Sequence, residues 1–293
     1  MSLNLRVEHE TRYVYASRVD VAHQQMHLTP RDSERQKLAG FTLHIEPPPA
    51  ECRSAQDTFG NIRTLCAIYA PHDELRVRAS SLVQLLDPAV PARFAASPPW
   101  EQVREVLRFA AGRPFLAAAE FVPASPYVPL LPALRGYALE CLVPGRPWLA
   151  GALALMQRIH DDFTYDPTTT DVATPIVRAF AQRSGVCQDF AHILIGCLRA
   201  IGLPAAYVSG YLLTRPPPGQ PRLLGVDASH AWVSIWCPVN GWVDLDPTNA
   251  VVTGLDHVTL AVGRDYGDVM PLRGVIRGGA SHRLTVAVSV VPV

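Results

Sequence analysis

The hydrophobic period of this chain changes twice, and the order of the changes leaves few folds open. Up to about residue 85, short segments alternate apolar and polar residues, the period of two that a half-buried strand requires. Leu5-Arg6-Val7-Glu8-His9, Thr11-Arg12-Tyr13-Val14-Tyr15, Phe41-Thr42-Leu43-His44-Ile45 and Leu75-Arg76-Val77-Arg78-Ala79 all show it. Asp57-Thr58-Phe59-Gly60-Asn61 and Pro71-His72-Asp73-Glu74 supply turn chemistry between them. This spacing predicts an antiparallel β-sandwich domain over residues 1–86.

Between residues 87 and 148 the pattern breaks. Pro88, Pro91, Pro98, Pro99, Pro123, Pro126, Pro129 and Pro132 cut the region into short pieces, which predicts a proline-rich linker with helical patches. One patch is Trp100 to Ala111, with Val103, Val106, Leu107 and Ala110 at helical spacing. The period then becomes helical. Helices are predicted from Pro147-Trp148 to about Ile159, from Pro175 to about Gln182, and from Cys187 to Gly202-Leu203-Pro204. Strands follow at Ala206–Thr214, Ala231–Trp236, Trp242–Leu245, Val258–Val262 and His282–Val291. Helices first and strands after make residues 149–293 an α+β core. A Pro216-Pro217-Pro218-Gly219 loop interrupts it.

Composition narrows the function. Lys+Arg 26 balances Asp+Glu 26, so no net field draws the chain to nucleic acid or to an anionic membrane. No apolar run approaches the roughly 18 residues of a membrane span. The charged first 18 residues do not read as a secretory signal. Six cysteines form no CxxC pair and no framework spacing. Mostly buried free thiols in a reduced, cytoplasmic protein are expected. HExxH, zinc-ribbon and EF-hand patterns are missing, so neither metal nor cofactor is expected. Nothing in the sequence speaks to oligomeric state.

Three segments carry chemistry. In Ser184-Gly185-Val186-Cys187-Gln188-Asp189-Phe190-Ala191-His192, a glycine turn delivers Cys187 to the first turn of a helix. Free backbone N–H groups gather there; they favour a thiolate and could hold an oxyanion. A buried core cysteine is the alternative, and Cys197, further along the helix, is expected to be one. His230 lies in Ser229-His230-Ala231-Trp232-Val233 and opens a predicted strand. Across the turn Pro238-Val239-Asn240-Gly241, the next strand carries Asp244 and Asp246. Two such strands bring a histidine and a carboxylate into register. Cysteine, histidine and aspartate in that order suit a nucleophile, its base and the base's orienting group. Asp244 and Asp246 share a face, so periodicity does not choose between them.

The Gly-Val-Cys-Gln-Asp-Phe-Ala-His, Ser-His-Ala-Trp-Val and Asp-Leu-Asp-Pro-Thr-Asn runs together resemble the bacterial transglutaminase-like superfamily. Phe163-Thr164-Tyr165-Asp166, Gly210-Tyr211-Leu212 and Gly263-Arg264-Asp265-Tyr266-Gly267-Asp268 resemble further family segments. The first 85 or so residues resemble the β-rich region that commonly precedes that core. The resemblance implies a papain-like fold and a Cys-His-Asp triad. It gives Cys187 the nucleophile's role, His230 the base's and Asp246 the orienter's. It also implies acyl transfer through a thioester. Hydrolysis of an amide or peptide bond is the first expectation, amine transfer the second, and a non-catalytic peptide-binding scaffold the third. The expected partner is a peptide, protein or small-amide substrate.

Other positions are candidates only. Tyr165 is a second oxyanion donor or an ordinary tyrosine, and Gln188 faces the cleft or solvent. Tyr211 and Trp232 wall a substrate groove or pack in the core. Asp189 is expected to complement the helix dipole. Among Asp265, Tyr266, Asp268 and Arg273, an Arg–carboxylate pair holding a loop is expected.

Overall fold

The computed structural model describes residues 1–87, 94–214 and 229–293. Pro88, Pro91 and the Pro216-Pro217-Pro218-Gly219 loop lie outside the described residues.

The first sheet is organised by one long strand, β1 (Ser2–Thr29). It joins both segments predicted as separate strands near residues 5–15 and continues beyond them. Its first half lies beside β5 (His72–Leu86) and its second beside β4 (Ile62–Ile68). The outer strands are β2 (Gln36–Glu46), on β5, and β3 (Glu51–Gln56), on β4. All these pairs are antiparallel. The turn between β3 and β4 forms where expected: Asp57 Oδ1 accepts from the Phe59 and Asn61 N–H groups, both at 2.9 Å. Gly60, at φ 78°, supplies the left-handed residue. The Pro71–Glu74 turn is shorter than expected, because His72 already belongs to β5.

Two strands from the far end of the chain complete this sheet. β13 (Leu272–Gly278) pairs with Val19 to Met26, and β14 (His282–Pro292) pairs with Leu5 to Tyr15. The sequence reading gave 149–293 to the core, but residues 272–292 hydrogen-bond into the N-terminal sheet. The expected sandwich unit is thus one seven-stranded sheet built from both ends of the chain.

The proline-rich middle is not a spacer. Its helices α1 (Trp100–Val106) and α2 (Pro132–Cys141) sink Trp100, Val103, Leu134 and Tyr137 into the same apolar core as the later helices. α3 (Trp148–Asp162) and α4 (Ile176–Gln182) begin after Pro147 and Pro175, whose fixed φ favours a helix start. Two short strands, β6 (Thr164–Tyr165) and β7 (Ser184–Gly185), pair in parallel immediately before α5 (Cys187–Arg199).

α5 is buried on every side from Gln188 to Arg199, the position of an apolar helix at the centre of a core. It packs on β8 (Ala205–Leu212) and β9 (Ser229–Cys237), with α2, α3 and α4 around it. Its one buried cation, Arg199, donates to the Ala205 and Arg264 carbonyls and to Ser125 Oγ. Burial lowers that guanidinium to about 10. The core sheet runs β11 (Val251–Val252), β10 (Gly241–Asp246), β9, β8, β12 (His257–Gly263), all antiparallel. A Cβ on Gly210 of β8 would strike the Val258 carbonyl and the Trp232 ring, so only glycine fits there.

The two sheets are fastened by side-chain amides. β12 is the edge of the core sheet, and its backbone groups need partners. Gln36 takes both groups of Thr259, each at 2.8 Å. Asn61 takes both groups of Val262, at 2.7 and 2.8 Å. Each amide thereby imitates one residue of a neighbouring strand. The short helix α6 (Tyr266–Val269) follows β12. There the expected Arg–carboxylate pair forms from Arg264, not Arg273: Arg264 grips Asp268 with two bonds of 2.8 and 2.9 Å. Arg273 instead donates to the Gly267 carbonyl.

Candidate active site

The tip of α5 presents Cys187 half-buried, whereas Cys141, Cys197 and Cys237 are buried free thiols. Val186 is the N-cap, with extended backbone, and Asp189 Oδ2 accepts its N–H at 2.9 Å and the Thr170 hydroxyl at 2.6 Å. Asp189 therefore caps its own helix from inside the first turn. Gly185 is required beneath it, because a Cβ there would run into that carboxylate. The Asp189 N–H already bonds the Val186 carbonyl, whereas the Cys187 and Gln188 N–H groups come first in the helix, with no preceding helical carbonyl to bond.

His230 and Asp246 come from neighbouring strands. Leu245 lies opposite Val233, which sets Asp246 diagonally across from His230 on one face of the sheet. His230 Nε2 is 2.7 Å from Asp246 Oδ2. Cys187 acts on the same ring through a side-chain hydrogen bond and its charge. Burial alone would lower the imidazole pKa. The hydrogen bonds and charges of Asp246 and Cys187 overcome that and raise it to about 10.

The carboxylate of Asp246 is fully enclosed, at 0% exposure. Oδ1 accepts from the Thr248 and Asn249 N–H groups at 2.9 and 3.2 Å. Oδ2 accepts from His230, from His257 Nε2 at 3.2 Å and from Asn249 Nδ2 at 2.6 Å. Burial would raise this carboxyl, yet the donors hold it well below the usual carboxylate range. Asp244, two residues back, only meets Trp232 Nε1 at 3.4 Å. The loop after β10 thus separates two aspartates that periodicity could not.

The remaining candidates part company. Tyr165, 53% exposed, is placed beside the helix tip by the β6–β7 pair, opposite Gly185. Partial burial and the nearby Cys187 raise its phenol. Gln188 is buried, and its Nε2 donates to the Val172 carbonyl at 3.3 Å. Tyr211 is no groove wall, being 1% exposed with its hydroxyl 2.7 Å from His9 Nδ1 of β1. Trp232 is wholly buried, tilted against His230 at 6.1 Å between ring centroids. It backs His230 and, though itself buried, borders a cavity shared with His257.

Two residues near the site were not anticipated. Tyr207 of β8 is buried, and burial together with the Cys187 charge lifts its phenol well above normal. His257 shares the carboxylate with His230. Its signal in the sequence was an imidazole at the first position of an apolar strand. His230 Nε2, Asp246 Oδ2 and His257 Nε2 lie within 4.8 Å of one another, a spacing that could hold a cation. All three atoms already engage each other, so a cation would have to displace the bonds that orient His230.

Comparison with known proteins agrees with this architecture. The profile of the bacterial transglutaminase-like N-terminal region matches residues 5–84, and that of the transglutaminase-like superfamily matches residues 137–247. An uncharacterised protein of Mycobacterium tuberculosis is 39% identical over 98% of this chain and 92% of its own length. A protein-glutamine gamma-glutamyltransferase of Pseudomonas aeruginosa is 38% identical over 102 residues, 33% of this chain and 15% of that protein. The solved structure described as a "Putative Cysteine Protease" from Cytophaga hutchinsonii superimposes with a TM-score of 0.76 at 18% identity. It covers 100% of this chain and 91% of its own, and so has the same fold. The chain belongs to the bacterial transglutaminase-like superfamily.

Proposed function

We propose that the protein hydrolyses an amide or peptide bond through a thioester on Cys187. The observation that carries this reading is the His230 ring, held at 2.7 Å by the Asp246 carboxylate and raised in proton affinity by that carboxylate and by the half-buried Cys187. The sulfur attacks the carbonyl carbon, and the first-turn N–H groups of α5 stabilise the oxyanion. His230 gives its proton to the departing amine, the C–N bond breaks, and the thioester remains. His230 then takes a proton from water, whose oxygen attacks the same carbon. The C–S bond breaks and the resting pair returns. Tyr165 is the proposed second donor to the oxyanion.

A second reading replaces water by an amine and forms a cross-link. The Pseudomonas relative's name favours it. A non-catalytic peptide-binding scaffold, the third expectation, would need none of this hydrogen-bonding around His230. The proposed substrates are peptides, proteins or small amides. The proposed compartment is the cytoplasm, where Cys187 stays reduced, and the Cys52–Cys66 pair is the observation that weighs against it. No helix among the described residues is long and apolar enough to cross a membrane.

The test is a mixed peptide library incubated with wild type and with Cys187→Ala, in the presence and absence of a fluorescent primary amine. New N-termini or released ammonia with the wild type alone support hydrolysis, whereas stable incorporation of the amine supports transfer. Identical product profiles from both proteins would remove catalysis by Cys187 altogether.

A further inference from the structure

Asp246 serves two imidazoles, and the proposed reaction uses only one. His257 opens β12 and puts its Nε2 3.2 Å from the same Oδ2 that binds His230. A carboxylate only accepts, so His257 donates Nε2–H, and in the neutral ring Nδ1 is then a bare acceptor. That Nδ1 is buried without a hydrogen-bond partner. The ring is 8% exposed and stands edge-on to Trp232 at 5.2 Å between centroids. An apolar ring would fill this space and leave no polar atom stranded. What a histidine adds here is one N–H directed at Asp246.

Of the other charged groups near the ring, Arg31, Arg35 and Asp244 are engaged elsewhere. Arg31, Glu34, Arg35 and Asp244 line a cavity of about 450 Å³ that His257 also borders. Arg31 donates to the Phe59 carbonyl, Arg35 to the Thr253 carbonyl, and Asp244 receives Trp232 Nε1. Asp246 is the ring's one hydrogen-bond partner among the described residues.

We propose that His257 is a positioning residue: its N–H holds Asp246 Oδ2 as an acceptor shared between two rings, and so sets the orientation and the proton affinity of His230. This rests on the triad reading above. Sharing divides the acceptor strength of one oxygen. With His257 gone, His230 faces an undivided carboxylate, keeps its proton to higher pH, and releases it less readily to the leaving amine. The carboxylate also loses one of the groups that fix its plane.

The experiment follows the alkylation rate of Cys187 by iodoacetamide from about pH 4 to about pH 11, beside thermal unfolding, for wild type, His257→Phe and His257→Gln. His257→Phe moves the alkaline limb of the profile upward by about half a pH unit and lowers kcat on an amide substrate roughly tenfold, with KM little changed. His257→Gln, whose amide N–H reaches the same oxygen, restores most of both. A folded His257→Phe with the wild-type profile overturns the proposal. Should that variant not fold, nitrogen NMR of the wild-type imidazoles decides. His257 must carry its proton on Nε2 at neutral pH, and the opposite tautomer overturns the proposal. A wild-type Cys187 no more reactive than an ordinary exposed thiol removes the triad reading itself, a different outcome from either of these.

Discussion

Asp246→Asn is the sharpest perturbation of the site, because both carboxylate oxygens are already accepting. Two backbone N–H groups converge on Oδ1, and His230, His257 and the Asn249 amide converge on Oδ2. An asparagine has one acceptor oxygen. If that oxygen faces the loop, its NH2 meets three donors; if it faces the rings, its NH2 meets Thr248 and Asn249. In the first orientation His230 must present a bare Nε2, which moves its proton to Nδ1. The ring then keeps a single proton and no longer forms the imidazolium that pairs with the sulfur. Unpairing a buried charged partner costs about 3–5 kcal/mol, and each 1.36 kcal/mol is tenfold in rate. We expect kcat/KM on an amide substrate to fall roughly 10²- to 10⁴-fold. The same variant should react more slowly than wild type with iodoacetamide at Cys187 near neutral pH. Both are read on protein whose circular dichroism matches the wild type. A variant that stays within tenfold of wild type would show that the carboxylate does not orient His230.

Stability should peak near neutral pH. The raised His230 contributes stability that is complete below its unfolded value of about 6.5 and is lost as pH rises toward about 10. Burial lowers His9 and His192 to about 4, so their contribution grows as pH rises from about 4 to 6.5. Melting temperatures across pH should flatten on the alkaline side alone in His230→Ala, and an unchanged alkaline slope would contradict the assigned pair. Cys52 and Cys66, directly opposed on β3 and β4, form a disulfide. Alkylation of the unreduced, denatured protein should therefore label four of the six cysteines, and six labelled would refute the bond. Asn61→Ala removes both bonds to Val262 and should destabilise the protein by about 1–3 kcal/mol in urea unfolding; a loss within error would mean the β12 edge is held by other contacts.

The triad motifs were readable because each pairs a reactive side chain with local geometry that sequence expresses. A glycine turn precedes Cys187, and a short hairpin follows His230. Asp244 and Asp246 were inseparable by period, and the difference lies in Thr248 and Asn249 folding back onto one of them. Gln188 and Tyr211 looked functional from their neighbours. Yet the partners that occupy them, the Val172 carbonyl and His9, come from a distant loop and from the first strand. His257 was missed for the same reason: its chemistry exists only when β12 lies near the end of β10. Mostly free thiols were expected, and the one pair, Cys52 and Cys66, 14 residues apart, meets through hairpin register rather than a motif. The assignment of β13 and β14 to the core failed because a strand's alternation states which face it buries, not which strand it joins.

Strand β1 receives β14 along Leu5 to Tyr15, so this segment is paired by one that leaves the ribosome much later. Until residues 272–292 emerge, one flank of β1 is an open row of amides and carbonyls available to any passing strand. Nascent or prematurely terminated chains should therefore be the aggregating species, with fibre or inclusion formation seeded at that flank. The folded chain buries the hazard beneath β14.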